Sequence, residues 1–213
     1  MMDSTLELPW LMLTPAGALQ AFAQPQPDVF ALALQSLLGA RQALTRQAWL
    51  AVGQERQALL GQALAEGWVE GLPRAIEGPD VRLDDFVQHV IASLSGERRA
   101  VLASEAGFCL GRSGMPQEEA EVLSAAAADF SEFAQRQARR GWAGAKRFVS
   151  FHSDPEMLLP EVSFVPFWVD GVGYWLILGG EPLLNNPAWV ELLWGIKEAG
   201  SRFLSAGRSA ATA

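Results

Sequence analysis

The chain has 213 residues, a formal net charge of −8, one cysteine and two histidines. Half of the residues are hydrophobic and 19% are charged, which supplies a packed core and excludes global disorder. A lone cysteine excludes an internal disulfide framework and a thiolate-rich zinc site, and the acidic balance argues against a protein whose main work is neutralising nucleic-acid phosphates.

The length admits one large domain or two small ones. The opening Met1-Met2-Asp3-Ser4-Thr5-Leu6-Glu7 carries acids and no Lys or Arg, unlike the n-region of a signal peptide. Charge, Pro or Gly interrupts every apolar stretch before the ~20 residues that a membrane-spanning helix needs. The expectation is a cytoplasmic protein with no membrane insertion. Lys occurs only at Lys146 and Lys197, and the heavy use of Arg and Ala is that of a GC-rich genome.

Residues 1 to about 80 read as helical. Asp28 precedes a broad stripe of Val29, Phe30, Leu32, Leu34, Leu37 and Leu38 that Gly39 ends. Thr45 suits the N-cap of a second helix through Trp49, Leu50 and Val52. A third runs from Gln54 to Glu66, followed by Gly67-Trp68-Val69-Glu70-Gly71-Leu72-Pro73 and an irregular stretch to Asp80. Three helices closing on a short strand and a turn-rich hairpin is a winged-helix layout. Gln62 to Glu70 resembles the helix, Gly, aromatic, Val exit of winged-helix regulators. A plain helical subdomain is the other reading of 1–82.

From residue 83 the periodicity changes. Leu83, Phe86, Val87, Val90, Ile91 and Leu94 form one helical stripe ended by Ser95-Gly96. Two short strands follow, Arg99 to Ser104 and Phe108 to Arg112. A long helix then runs from Pro116 to about Arg139, with acids early and Arg136, Arg139 and Arg140 at its end, as the helix dipole favours. Phe148 to Phe151, Val162 to Val169 and Val172 to Leu178 read as strands, the last two joined by the hairpin signal Asp170-Gly171. Pro166 predicts a bulge or an edge position. A final helix spans about Pro187 to Ser205, and the small, polar tail 207–213 is expected to fray.

This order of helix, two strands, long helix, three strands and helix resembles the roadblock/dynein-light-chain family. The residues that carry the resemblance are Ala100 to Gly114, similar to that family's first hairpin, and Gln117 to Ala127, similar to its acidic, then Ala-rich central helix. It covers about 83–205. The Trp-rich final helix and the long connection 154–161 depart from the family pattern. The expected architecture is α+β: a roadblock-like domain over 83–206, preceded by a mainly helical or winged-helix domain over 1–82. The resemblance implies a non-catalytic dimerisation module, similar in role to regulators of small Ras-like GTPases.

Candidate chemistry is sparse. Ser150, His152 and Asp154 alternate on one strand, but i, i+2 neighbours stand ~6.8 Å apart along it, too far for a hydrogen-bonded triad. His89, His152 and Cys109 lack metal-ligand spacing, and Cys109 in an apolar strand reads as a buried, inert thiol. Gly111-Arg112-Ser113-Gly114 precedes a helix but lacks the phosphate-loop pattern, and Glu118 and Glu119 repel an anion there. No catalytic residue, metal or cofactor is expected.

Two surfaces stand out instead. Arg136, Arg139, Arg140, Lys146 and Arg147 cluster as a helix-end cation group or an acidic-partner patch. In the last helix Trp189, Leu192, Leu193, Ile196, Ala199 and Phe203 share one side while Val190 and Trp194 lie off it. Such a helix needs a second partner, so Trp189, Val190 and Trp194 are expected at a homodimer or hetero-complex interface, with simple burial under the N-terminal half as the other reading. The competing function is a DNA-binding transcription regulator whose second half dimerises or senses. Against it, residues 1–82 carry five arginines and eight carboxylates, and the third helix offers only Arg56, beside Glu55.

Overall fold

The computed structural model describes residues 8–79, 83–142, 144 and 148–210. Among them the chain is a mixed α+β protein with one three-stranded and one five-stranded antiparallel sheet. It divides into two compact units. The first comprises the described residues of Met1–Leu83 and Trp189–Ala213, and the second is Asp84–Ala188.

In the first unit the order is β1 (Trp10–Leu13), α1 (Pro15–Ala21), α2 (Val29–Gln35, extended by a 3-10 turn Ser36–Leu38), β2 (Leu44–Thr45), α3 (Arg46–Leu50), α4 (Arg56–Ala65) and β3 (Val69–Leu72). The predicted helices form where their caps lie. Asp28 accepts from the amide of Ala31 at 2.7 Å, and Thr45 from that of Ala48 at 3.1 Å. Strand β1 and helix α1 were not expected. Thr14 caps α1 by accepting from the amide of Gly17 at 3.1 Å, and Pro15 sits in the first turn.

β1 lies between β2 and β3, pairing Trp10 with Leu72 through to Leu13 with Val69. The expected hairpin after the Gly-Trp-Val exit is therefore replaced by pairing of β3 with a strand that precedes it by more than fifty residues. After β3 the described segment to residue 79 bridges Gln42 to Glu77, flanked by hydrogen bonds from the amides of Ala43 and Gly78 to the carbonyls of Ile76 and Arg41. Leu11, Leu13, Phe22, Leu34, Leu37, Leu38, Trp49 and Leu60 fill the core. α1 approaches closely: a Cβ on Gly17 would stand 1.9 Å from the carbonyl oxygen of Trp68.

The second unit contains α5 (Leu83–Ala92), β4 (Ala100–Ser104), β5 (Cys109–Ser113), α6 (Gln117–Arg139), β6 (Val149–Phe151), β7 (Val162–Val169) and β8 (Val172–Gly179). The sheet order is β5-β4-β8-β7-β6. Asp170 and Gly171 have φ of 49° and 81°, the two positive values of a type I′ hairpin, whose twist matches that of the strands it joins. β7 and β8 then pair without interruption from Val162–Gly179 to Val169–Val172. No bulge forms at Pro166. Among the described residues β6 pairs only with Val162–Phe164, so Pro166 lies beyond the described ladder on the outer side of β7, where a missing N–H interrupts none of the described pairs. The register shift in this sheet lies instead between Leu102 and Ala103.

α6 packs on one face of the sheet. Val101, Ala103, Phe164, Trp175 and Ile177 meet Ala120 and Ala127, with Leu123, Ala126 and Phe130 alongside. Small residues at the contact let a long helix lie close to bulky strand residues, which explains the Ala-rich run. Trp175 Nε1 donates to Ser131 Oγ at 2.8 Å, so the buried indole keeps a polar partner. On the opposite face α5 sits so near β5 that a Cβ on Gly111 would be 2.5 Å from Val87 Cγ1.

The last helix, α7 (Pro187–Ala210), runs past the expected end near 205 and takes in the first residues of the expected tail. From Trp189 onward it belongs to the first unit, whereas the sequence assigned it to the roadblock-like domain. Trp194 Nε1 donates to the carbonyl of Ala40 at 2.8 Å, and the indole lies against Gly78.

Candidate functional site

The residues singled out in α7 do not form an open surface. Trp189, Val190 and Trp194 are buried within the single chain, Trp194 to 2% exposure. The expectation that they face a second molecule is corrected by that burial. The partner that the all-round apolar helix requires is, for Trp194, this chain's own segment around Ala40 and Gly78.

The arginine cluster is exposed in part as expected. Arg136, Arg139 and Arg140 all lie at the surface at the end of α6. Arg136 pairs with Glu132 at 3.3 Å, one turn earlier, a contact worth about 0.3–0.5 kcal/mol between exposed groups. Lys146 and Arg147 lie outside the described residues.

Arg136 also borders a feature that the sequence reading missed. A cleft of about 570 Å³ opens between the second half of α6 and the start of β6, lined by Asp129, Phe130, Phe133, Arg136, Trp142, Gly144, Phe148 and Val149. Phe133, Trp142, Phe148 and Phe151 are all exposed, Trp142 by 54%. They continue an aromatic series that starts in the core. Phe130 meets Phe164 edge-on at 4.9 Å between ring centroids and stacks on Phe151 at 5.9 Å, while Phe133 meets Trp142 edge-on at 6.4 Å. Exposed aromatics grouped beside a cation have the composition of an interface core. The available signal was Phe130 and Phe133 at helical spacing just before the arginines, with Phe148 and Phe151 at the two ends of the next apolar segment.

β6 is also the outer strand of its sheet, so among the described residues one side of its backbone has no strand neighbour. Such an edge is a template for pairing with another chain. Beyond it the loop 152–161 is held by Asp154, whose carboxylate accepts from the amides of Glu156 at 3.0 Å and Leu158 at 3.4 Å. This turn displays Met157, Leu158 and Leu159 at 68, 72 and 61% exposure, three consecutive apolar residues in solvent.

The chemistry rejected on spacing does not assemble. Ser150 Oγ shares a hydrogen bond with Ser163 Oγ at 2.9 Å, and Asp154 is committed to its turn, so neither addresses His152. Cys109 is half-buried rather than buried, with Sγ 3.8 Å from the carbonyl of Gly111. At the strand-to-helix turn Arg112 folds back, donating from Nε to Gln117 Oε1 at 2.8 Å and from Nη1 to the carbonyl of Met115 at 2.7 Å. A cation of the protein's own thus occupies that helix start. Tyr174, stacked on Phe167 at 5.3 Å, has its hydroxyl pKa raised by burial and then by the charge of Asp170. Among the described residues no group of three or more His, Cys, Asp or Glu side chains is placed to hold a metal ion, and no helix is long and apolar enough to cross a membrane.

In the first unit Arg56, the sole cation of α4, is turned inward. Its guanidinium lies 4.5 Å from the ring centre of Trp49 and donates to the carbonyl of Ala33 at 3.1 Å and to Ser36 Oγ at 3.0 Å. Trp49 Nε1 donates to the same two oxygens, so both side chains close the end of α2. The exposed positions of α4 are Gln57, Ala58, Gly61, Gln62 and Ala65, none of them a cation.

Searches of the chain against protein-family models, curated proteins and solved structures return no match.

Proposed function

We propose that the chain is a non-catalytic regulatory binding protein that forms a homodimer through the α6–β6 face of its second unit. The observation that carries this reading is the aromatic cleft set beside the open edge of β6. Two antiparallel copies of an edge strand satisfy each other's backbone groups and bury the same patch on both sides, as a two-fold interface requires. The order of elements and the α6 packing support the roadblock-like resemblance, and with it a small Ras-like GTPase as the regulated partner. The first unit, in which α2, α3 and α4 lead to β3 after the additional helix α1, is read as a winged-helix-like docking platform for protein rather than DNA. Its α4 turns Arg56 inward and presents no cation for phosphate.

Light scattering across about 1–100 µM protein, the range where dimers of micromolar affinity dissociate, tests the dimer. The expected mass is twice the 23.0 kDa of one chain, and a Trp142→Arg variant is expected to halve it. A monomer at every concentration refutes the dimer. Affinity capture from the native host, followed by nucleotide-exchange and hydrolysis assays with any Ras-like GTPase recovered, tests the partner. Titration with duplex DNA at ~150 mM salt is expected to show no binding tighter than ~10⁻⁶ M, the upper end of non-specific affinity at physiological salt. Tighter, salt-steep binding would instead favour the transcription regulator.

A further inference from the structure

We propose that the Asp154–Leu159 loop of each copy seats in the α6–β6 cleft of the other, a reciprocal exchange that makes the loop the specificity element of the dimer. The inference rests on the dimer reading above and deepens it by naming what fills the cleft.

Register carries the first part of the argument. β6 is three residues long and β7 covers its inner side, so a second copy can pair only along the outer side. In a two-fold antiparallel pair centred on Ser150, Phe151 stands opposite Val149 of the second copy. Residue 152 then stands opposite Phe148, a wall of the cleft. The loop therefore leaves its own sheet at the point where the other copy's cleft begins, and symmetry places the second loop in the first cleft.

Chemistry carries the rest. The loop offers Met157, Leu158 and Leu159 in solvent, and the cleft offers Phe133, Trp142 and Phe148 in solvent, so each supplies the apolar surface that the other lacks. A cleft of about 570 Å³ lies in the size range that encloses a ligand-sized group of side chains. The charges complement one another. Asp154, Glu156 and Glu161 flank the apolar run, while Arg136 borders the cleft, with Arg139 and Arg140 beyond it; Asp129 and Glu132 are the acids on that side, Glu132 already paired with Arg136.

The loop is also shaped before it binds. Asp154 holds the turn with its carbonyl as well as its carboxylate, accepting from the amide of Met157 at 3.0 Å. The base is closed by the amide of Glu161 donating to the carbonyl of Phe151 at 2.8 Å. Met157 sits at φ 52°, a conformation that a residue with a side chain adopts only when its surroundings hold it there. A preformed loop loses little freedom on docking.

The test uses the full chain with Met157, Leu158 and Leu159 replaced together by Ser. Because all three are exposed within one copy, the circular dichroism spectrum, compared at a concentration where both proteins are monomers, stays that of the wild type. The dimer dissociation constant, read by sedimentation, is expected to rise at least ~100-fold, as when several core contacts of an interface are lost. In a Cys109→Ala background, Leu158→Cys protein mixed with Phe148→Cys protein is expected to form a mixed disulfide under mild oxidation, and Leu158→Cys protein alone is not. A wild-type dimer whose affinity the triple variant leaves unchanged, or that gives no mixed disulfide, overturns the loop exchange and leaves the α6–β6 dimer standing. A wild-type monomer overturns both.

Discussion

Replacing Trp194 with Ala separates an internal role for α7 from an intermolecular one. The indole is 2% exposed, and its Nε1 donates to the carbonyl of Ala40 at 2.8 Å. A buried Trp removes about 150–250 Å² from water, and truncating it to Ala in a core costs about 3–5 kcal/mol. Trp194→Phe keeps most of the apolar surface but orphans the Ala40 carbonyl, so about 1–2 kcal/mol is expected. Gly78 supplies a control from the other wall. A Cβ there would be 2.7 Å from Trp194 Cε2, so Gly78→Ala overpacks the site by about 2 kcal/mol. With the indole gone that clash has no partner. The Gly78→Ala penalty should therefore vanish in the Trp194→Ala background, a coupling of about 2 kcal/mol.

Because two units need not unfold together, the suitable assay is hydrogen exchange read on peptides of the first unit, with light scattering for mass. Protection around Ala40 and Gly78 is expected to fall while the wild-type mass is kept. Unchanged protection with a halved mass would refute the internal role and return Trp194 to an interface.

Ser131→Ala removes the acceptor of Trp175 Nε1 and leaves a buried N–H unpaired, at a cost of about 1–3 kcal/mol in denaturant titration. Adding Trp175→Phe should recover at least ~1 kcal/mol of the sum of the two single effects, because the orphaned donor is gone. Gly17→Ala drives a methyl group toward the Trp68 carbonyl, 1.9 Å away on a rigid backbone, and is expected to cost about 3 kcal/mol, read as a lowered melting temperature. Tyr174 is the chain's one tyrosine, so ultraviolet titration of the native protein reads it alone, and it should ionise above the ordinary value of 10.0. A raised native pKa means that the folded state holds the proton more tightly. The corresponding stability is present below about pH 10, the unfolded value, and is lost as pH rises through the folded pKa. Asp170→Asn should lower that pKa, though by less than unfolding does, since burial is the larger cause.

The second unit was legible because its signals are redundant. Asp170-Gly171 specifies a turn that only one hairpin geometry accepts, and α6 carries acids at its start, cations at its end and small residues on its buried side. The first unit was read only where caps mark helices. β1 escaped because Trp10 to Leu13 lies between two prolines and is buried on both faces, so it shows no alternation. The apolar girth of α7 was visible, but periodicity reports that a face is covered and not by what. A hydrogen bond across 154 residues of sequence decides that. The cleft was hidden for the same reason, since Phe133, Trp142 and Phe148 belong to a helix, the segment after it and the residue that leads into an edge strand.

The placement of α7 also sets the order in which this protein can be made. The second unit is continuous in sequence and lies wholly within the first 188 residues, whereas the first unit is split and includes Trp189 onward. On the ribosome the inserted unit has all of its strands before the site at Ala40 and Gly78 has its indole. Domains fold as they emerge, N-terminal first, in the usual course of synthesis. Here the unit that begins the chain is the one finished last, and translation must run into its final helix before that site closes.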